Sequence, residues 1–156
     1  MVRLTLRGQK QYTASVLIVT KELPKRILLV HHKKYNLWIQ PGGHIEQFEN
    51  PIEAAIREGK EETGIDISFL LAKITPIDEL ASFLPIPDFF LEEKIGAYND
   101  EPEHIHLDLL YKLEIPFQEV KKADEEAHDI GWFTLNEAMT LPMYENTKAI
   151  IQKILQ

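Results

Sequence analysis

The chain has 156 residues, enough for one domain with a sizeable core, and is 44% hydrophobic and 27% charged, as soluble globular proteins are. Its formal net charge of -8 argues against a binder of nucleic-acid polymers, which needs clustered Lys and Arg. With no cysteine it has no disulfide, thiolate metal site or Cys nucleophile, which fits a reducing cytosol.

The N-terminal stretch MVRLTLRGQKQYTASVLIVT lacks the apolar core and cleavage pattern of a signal peptide. No apolar run approaches the roughly 18–20 residues that span a bilayer. A cytoplasmic protein without membrane contact is therefore expected. No repeat or linker divides the sequence, so residues 1–156 are expected to form a single domain.

YTASVLIVT and RILLVHH predict two strands, separated by the turn residues KELPK. LWIQ predicts a short extended piece that stops at Pro41-Gly42-Gly43. Asn50 suits an N-cap, Pro51 the first helical position, and Glu53 completes a capping box. Gly64 stands where a left-handed C-cap belongs, so a helix is predicted from about Pro51 to about Thr63. At 100° per residue, Ile52, Ala55, Ile56 and Gly59 share its core face. Glu58, Glu61 and Glu62 share another, with Ala54 beside them.

IDISFLLAKITPI predicts a further strand region, and ELASFLPIPDFFLEEKIGAYND an irregular or partly helical excursion because of its prolines. HIHLDLLYKLEI and DIGWFT predict strands; LNEAMTL and ENTKAIIQKIL predict helices. Mixed strands with helices between and after them indicate an α/β or α+β sandwich.

Crowded carboxylates destabilise a helix unless something screens or pairs with them. Solvent is the plainest screen. Lys60 is turned away from the acidic face. A hard divalent cation is the third option, since oxygen ligands suit Mg²⁺ or Mn²⁺, which also bind phosphates.

From Gly43 the chain runs Gly, five residues, Glu49, seven residues, Arg57-Glu58, two residues, Glu61-Glu62, one residue, Gly64-Ile65. This resembles the Nudix box, the signature of the Nudix hydrolase family. It departs at Gly59, where the family carries an aliphatic residue. A helical glycine costs about 1 kcal/mol relative to alanine, so a close approach of another backbone is expected there. The similarity extends to LLVHHKKYNLWIQPGGHIE and DIGWFTLNEA, covering roughly residues 12 to 140.

The resemblance implies an α/β/α sandwich with a mixed central sheet, and hydrolysis of a nucleoside diphosphate linked to another group. It implies Glu58, Glu61 and Glu62 as ligands of Mg²⁺ or Mn²⁺, joined by the backbone carbonyl of Gly42. Glu61 and Arg57 are further candidates for catalysis, and Arg57 with Glu49 for an ion pair that holds the loop to the helix. Among the acidic residues Asp124, Glu125, Glu126 and Asp129, Glu126 is the candidate base, because it stands six residues before Trp132 as a loop glutamate does in some relatives.

His104, His106 and Asp108 alternate along one strand and so share a face. They suit a transition metal, substrate contact, or plain hydrogen bonding within the sheet. Phe83, Phe89, Phe90 and Tyr98 are candidates for a pocket wall or a homodimer contact, beside simple packing. The implied partner is a nucleotide-derived small molecule: a (d)NTP, ADP-ribose, a nucleotide sugar or a dinucleoside polyphosphate. The rival reading is a Nudix-fold module that senses nucleotides without cleaving them; the intact carboxylates stand against it. Isomerases of isopentenyl diphosphate share the fold but use a cysteine, which this chain lacks.

Overall fold

The computed structural model describes residues 3–123 and 125–156. Among these residues the strands β1 (Lys10–Thr20), β2 (Ile27–His32), β3 (Leu37–Ile39), β4 (Gly42–His44), β7 (Phe89–Ile95), β8 (His104–Ile115) and β9 (Ala127–Phe133) form one mixed sheet. β5 (Thr75–Pro76) and β6 (Ser82–Phe83) pair only with each other. The helices are α1 (Pro51–Thr63), α2 (Leu135–Met139) and α3 (Glu145–Leu155).

β1 is the central strand. One edge runs parallel to β8 along its whole length, from Lys10 opposite Ile105 to Thr20 opposite Ile115. Its other edge is shared: Val19 faces Ile27 of β2, whereas Thr13, Ala14 and Ser15 face β4. β2 is shared in the same way, with β9 along one edge and β3 beside its last three residues on the other. β1 and β2 therefore fork, and residues 37–44 fill the gap as β3 and β4. The Val16 amide donates to the Pro41 carbonyl at 2.9 Å, which locks the crossover to β1.

Apolar side chains leave the sheet on both faces. On one, Ala14, Val16, Ile18, Leu28 and Val30 pack against Ile52, Ala54 and Ala55 of α1. On the other, Leu17, Leu29, Trp38 and Leu110 pack against Ala138, Ile150 and Ile151 of α2 and α3. Each large aliphatic side chain buried this way contributes about 1.5–3 kcal/mol. The arrangement is the expected α/β/α sandwich with a mixed sheet.

The helix α1 forms over the predicted residues because its caps are local. Asn50 Oδ1 accepts from the Glu53 amide at 2.9 Å, and Gly64, at φ 75°, donates its amide to the Lys60 carbonyl at 2.8 Å. Two expectations fail. Of residues 65–77 only Thr75–Pro76 is strand: Ser68–Lys73 is a 3-10 turn that buries Leu70, begun by the Ser68 amide donating to Asp66 Oδ1 at 2.9 Å. The excursion after Glu79 is not helical; its second half is the edge strand β7, which pairs with β8 from Phe89–Leu110 to Ile95–His104. No described helix is long and apolar enough to cross a membrane.

Candidate active site

The fork between β1 and β2 sets Gly42 opposite Ser15 and Gly43 opposite Ala14, and α1 packs beside them. A Cβ on Gly42 would strike Ser15 Oγ and come within 2.8 Å of the Ala14 carbonyl oxygen; one on Gly43 would strike the Glu58 carboxylate. Neither position has room for a side chain. The two glycines form one wall of a cavity of about 350 Å³, together with Glu58 and Glu62.

The three helix glutamates divide by burial. Glu62 is 7% exposed and the Glu58 side chain 16%, whereas the Glu61 side chain is 58% exposed and does not line the cavity. Ala54, expected beside the carboxylates and away from the core, is fully buried. The helix is embedded over a wider arc than its apolar residues alone indicate, and the arc includes the acids.

Arg57 is the cation among them. Its Nε and Nη2 grip Glu49 at 3.0 and 2.7 Å, forming the expected ion pair. Nη2 also donates to the His44 carbonyl at 3.0 Å, and Nη1 reaches Glu58 at 2.8 Å and Glu61 at 3.3 Å. The Glu49 hydrogen bonds hold the guanidinium above its ordinary pKa, and Arg57 in turn holds Glu49 below the usual carboxylate range. Burial raises Glu58 while Arg57 pulls it the other way. The crowding is thus relieved by Arg57 within the helix, a partner the sequence reading assigned only to Glu49.

Glu126 lines the same cavity. Its side chain is 77% exposed, its carboxylate is 3.9 Å from His32 Nε2, and its carbonyl accepts from the Lys33 amide at 2.8 Å. Glu125 is exposed, and Asp129 faces its own strand, accepting from the Ile130 amide at 2.8 Å. Asp124 lies outside the described residues.

On the cavity floor, Asp108 is 3% exposed and accepts from Thr13 Oγ1 at 2.8 Å and Ser15 Oγ at 3.0 Å. Glu93 of β7 is its neighbouring carboxyl group, from the strand paired with β8. Burial and the neighbouring Asp108 push Glu93 up to about 7; burial pushes Asp108 upward too, against the pull of the two hydroxyls. His106 lines the same floor, and burial depresses it to about 3. His104 does not line the cavity. It is buried behind His106, with its Nε2 3.1 Å from His106 Nε2 and its Nδ1 2.9 Å from the Pro102 carbonyl.

Sequence reasoning missed Glu93, Tyr35, Tyr144 and Ser15, all of which line the cavity. The alternation of Phe89, Leu91 and Glu93 carries a signal for the first; nothing local carries one for the others. Of the four aromatics proposed for a wall or a contact, none lines this cavity. Phe89 packs in the α2–α3 core, Phe83 and Phe90 are exposed, and Tyr98 lies under Lys34 Nζ at 5.5 Å.

The residues fit a hard divalent cation by donor type. Carboxylate and backbone-carbonyl oxygens suit Mg²⁺ or Mn²⁺ and do not suit softer metals. Among the described residues no three acidic or imidazole groups are already drawn together as a cage. Arg57 instead stands between Glu58 and Glu61.

The family description NUDIX domain matches residues 10–154. A Lactococcus lactis subsp. cremoris protein named as a probable DHNTP pyrophosphohydrolase is 32% identical over 114 residues, 73% of this chain and 60% of that protein. The asymmetrical bis(5'-nucleosyl)-tetraphosphatase of Rattus norvegicus is 27% identical over 125 residues, 80% of this chain and 70% of that one. The crystal structure of a NUDIX-family hydrolase from Clostridium perfringens superposes with a TM-score of 0.70 at 28% identity, covering 93% of this chain and 95% of that one. With a domain match over nearly its whole length and the matching fold, the chain belongs to the NUDIX family.

Proposed function

We propose that this protein is a divalent-metal-dependent hydrolase of a phosphoanhydride bond in a nucleoside diphosphate derivative: a (d)NTP, ADP-ribose, a nucleotide sugar or a dinucleoside polyphosphate. The observation that carries the reading is the wall where Glu58 and Glu62 of α1 meet a glycine pair too tight for any side chain. The names of the Lactococcus and rat relatives, both given for cleavage of polyphosphate compounds, support it.

Glu58, Glu62 and the Gly42 carbonyl would hold the ion, with Glu61 joining them. Bound Mg²⁺ or Mn²⁺ supplies neutralisation of the diphosphate oxygens and a more acidic water. The protein's residues do the rest. Arg57 positions Glu58 through Nη1 and ties the helix to the loop through Glu49. Lys34, held by Glu101 at 2.8 Å, lines the same cavity and would serve as a cation for a distal phosphate. Glu126, solvated and lining the cavity, accepts the proton of the attacking water.

The test is a panel of nucleotide derivatives assayed with and without Mg²⁺ or Mn²⁺. EDTA is expected to abolish hydrolysis, the metal to restore it, and Glu62→Gln to remove most activity while the fold survives. Full activity in metal-free buffer overturns the proposal.

A further inference from the structure

The cavity floor has a hydrogen-bond polarity that selects a ligand. Glu93 and His106 are direct partners in the β7–β8 ladder, so their side chains stand side by side, about 5 Å apart at Cβ. Both line the cavity. Asp108, two residues further along β8, already takes hydrogen bonds from Thr13 and Ser15. Two carboxyl groups hydrogen-bond only with a proton between them. Because hydroxyl donors stabilise the charge on Asp108, the proton belongs to Glu93, which donates it to Asp108. The remaining Glu93 oxygen is a pure acceptor.

The same bookkeeping fixes His106. The Pro102 carbonyl only accepts, so His104 carries its proton on Nδ1. With one proton per ring, His104 Nε2 accepts from His106 Nε2–H. His106 Nδ1 is then left as an acceptor. Two acceptors therefore stand side by side on the cavity floor.

We infer that Glu93 and His106 form a subsite that reads a heterocycle edge carrying adjacent N–H donors. The ring amide N–H with its neighbouring 2-amino group, shared by guanine and pterins, has that pattern. The edge of adenine sets a bare ring nitrogen beside its amino group, and that lone pair would face an acceptor. A site built around such groups discriminates strongly, because a mismatched ligand leaves buried acceptors unpaired.

This inference rests on the proposed nucleotide reading, and it is tested by binding so that it does not depend on hydrolysis. Calorimetric titration of the intact protein with GMP, IMP, AMP and neopterin monophosphate is the experiment. GMP is expected to bind at least about 10-fold more tightly than AMP, with IMP, which lacks the 2-amino group, between them. Comparing GMP with neopterin monophosphate tells which ring carries the shared edge.

Glu93→Gln keeps the arrangement, since its amide N–H₂ donates to Asp108 while its oxygen still accepts; the preference is expected to remain. Glu93→Leu removes the acceptor and is expected to abolish the preference. Equal binding of GMP and AMP by the wild type, binding of neither, or a preference that survives Glu93→Leu overturns the inference. So does loss of the preference in Glu93→Gln. Absence of phosphoanhydride cleavage alongside an intact GMP preference would overturn the proposed reaction alone.

Discussion

Gly42 and Gly43 are neighbours in the sequence, yet replacing each by alanine is expected to fail in a different way. At Gly42 the new Cβ meets Ser15 Oγ, the Ala14 carbonyl oxygen at 2.8 Å and Ser15 Cα at 2.8 Å. Two of these three atoms are backbone of the central strand, which is hydrogen-bonded on both edges. They cannot withdraw without opening the ladder. Overpacking costs about 1–3 kcal/mol, and here the upper end is expected, which lowers Tm by about 6–12 °C in a domain of this size.

At Gly43 the new Cβ meets only the Glu58 carboxylate. That is the far end of a flexible side chain, so it swings aside and the fold loses less than about 1 kcal/mol. The cost falls on the proposed metal site instead, where displacing a supporting group typically lowers affinity by about 10–100-fold. Thermal unfolding of both variants without metal, with calorimetric titration of Mn²⁺, separates the cases. Gly42→Ala should melt early, and Gly43→Ala should melt near wild type but bind Mn²⁺ weakly. If Gly42→Ala melts like wild type, or Gly43→Ala binds Mn²⁺ as wild type does, the steric reasoning is wrong.

Gly59→Leu is expected to destabilise by about 1–3 kcal/mol despite a helix-propensity gain of about 1 kcal/mol, because its Cβ would already be 3.1 Å from Ile67 Cδ1; an unchanged or raised Tm would show spare room. The crowding partner is a side chain, not the backbone expected from the sequence. Glu93 ties stability to pH. Its folded value of about 7 lies above the ordinary 4.5, so its contribution is complete at low pH and is lost as pH rises through 7, by about 3 kcal/mol. Urea midpoints measured across that range should fall more steeply for wild type than for Glu93→Gln, and equal slopes would refute the shared proton. Glu126→Gln should lower kcat by about 10²–10⁴-fold with KM largely kept; wild-type turnover, with Glu125→Gln inactive, would move the assignment along the loop.

The legible parts of this fold are those whose determinants are local. Asn50, Pro51 and Gly64 mark α1 within one turn of each end, and alternation or aliphatic runs mark β1, β2 and β8. The edge strand β7 was hidden because its inward positions are Phe89, Leu91 and Glu93. The third inward residue is an acid since it faces the cavity and not the core, so the period-2 apolar pattern breaks off at the functional end. The segment after α1 misled in the opposite direction. Its apolar residues read as a strand, but Ile65, Ile67 and Leu70 are buried at a spacing that suits a tight turn, while Phe69 and Leu71 face solvent.

The candidate site was half legible for a similar reason. Glu58, Glu61 and Glu62 sit on one helix, so their spacing shows their common face. Glu93, Asp108, Ser15 and Tyr35 come from four separate segments, and their meeting depends on strand pairings across the whole sheet. Arg57 was visible as a partner of Glu49, but its reach to Glu58 and Glu61 depends on side-chain geometry that spacing alone does not give.

The fork filled by β3 and β4 has a dynamic consequence. Backbone amides that exchange with solvent only through global unfolding belong to elements hydrogen-bonded on every side. Gly42 and Gly43 are clamped to the central strand β1 along one edge and joined through the Pro41 carbonyl to Val16. The Val16 amide, which donates to Pro41 across this clamp, should exchange as slowly as the middle of β1. The glycine wall of the cavity would then open only when the molecule unfolds. Motion that admits substrate and releases product would then come from other parts of the lining, such as Glu126, which is exposed, and the turn that carries Lys34 and Tyr35.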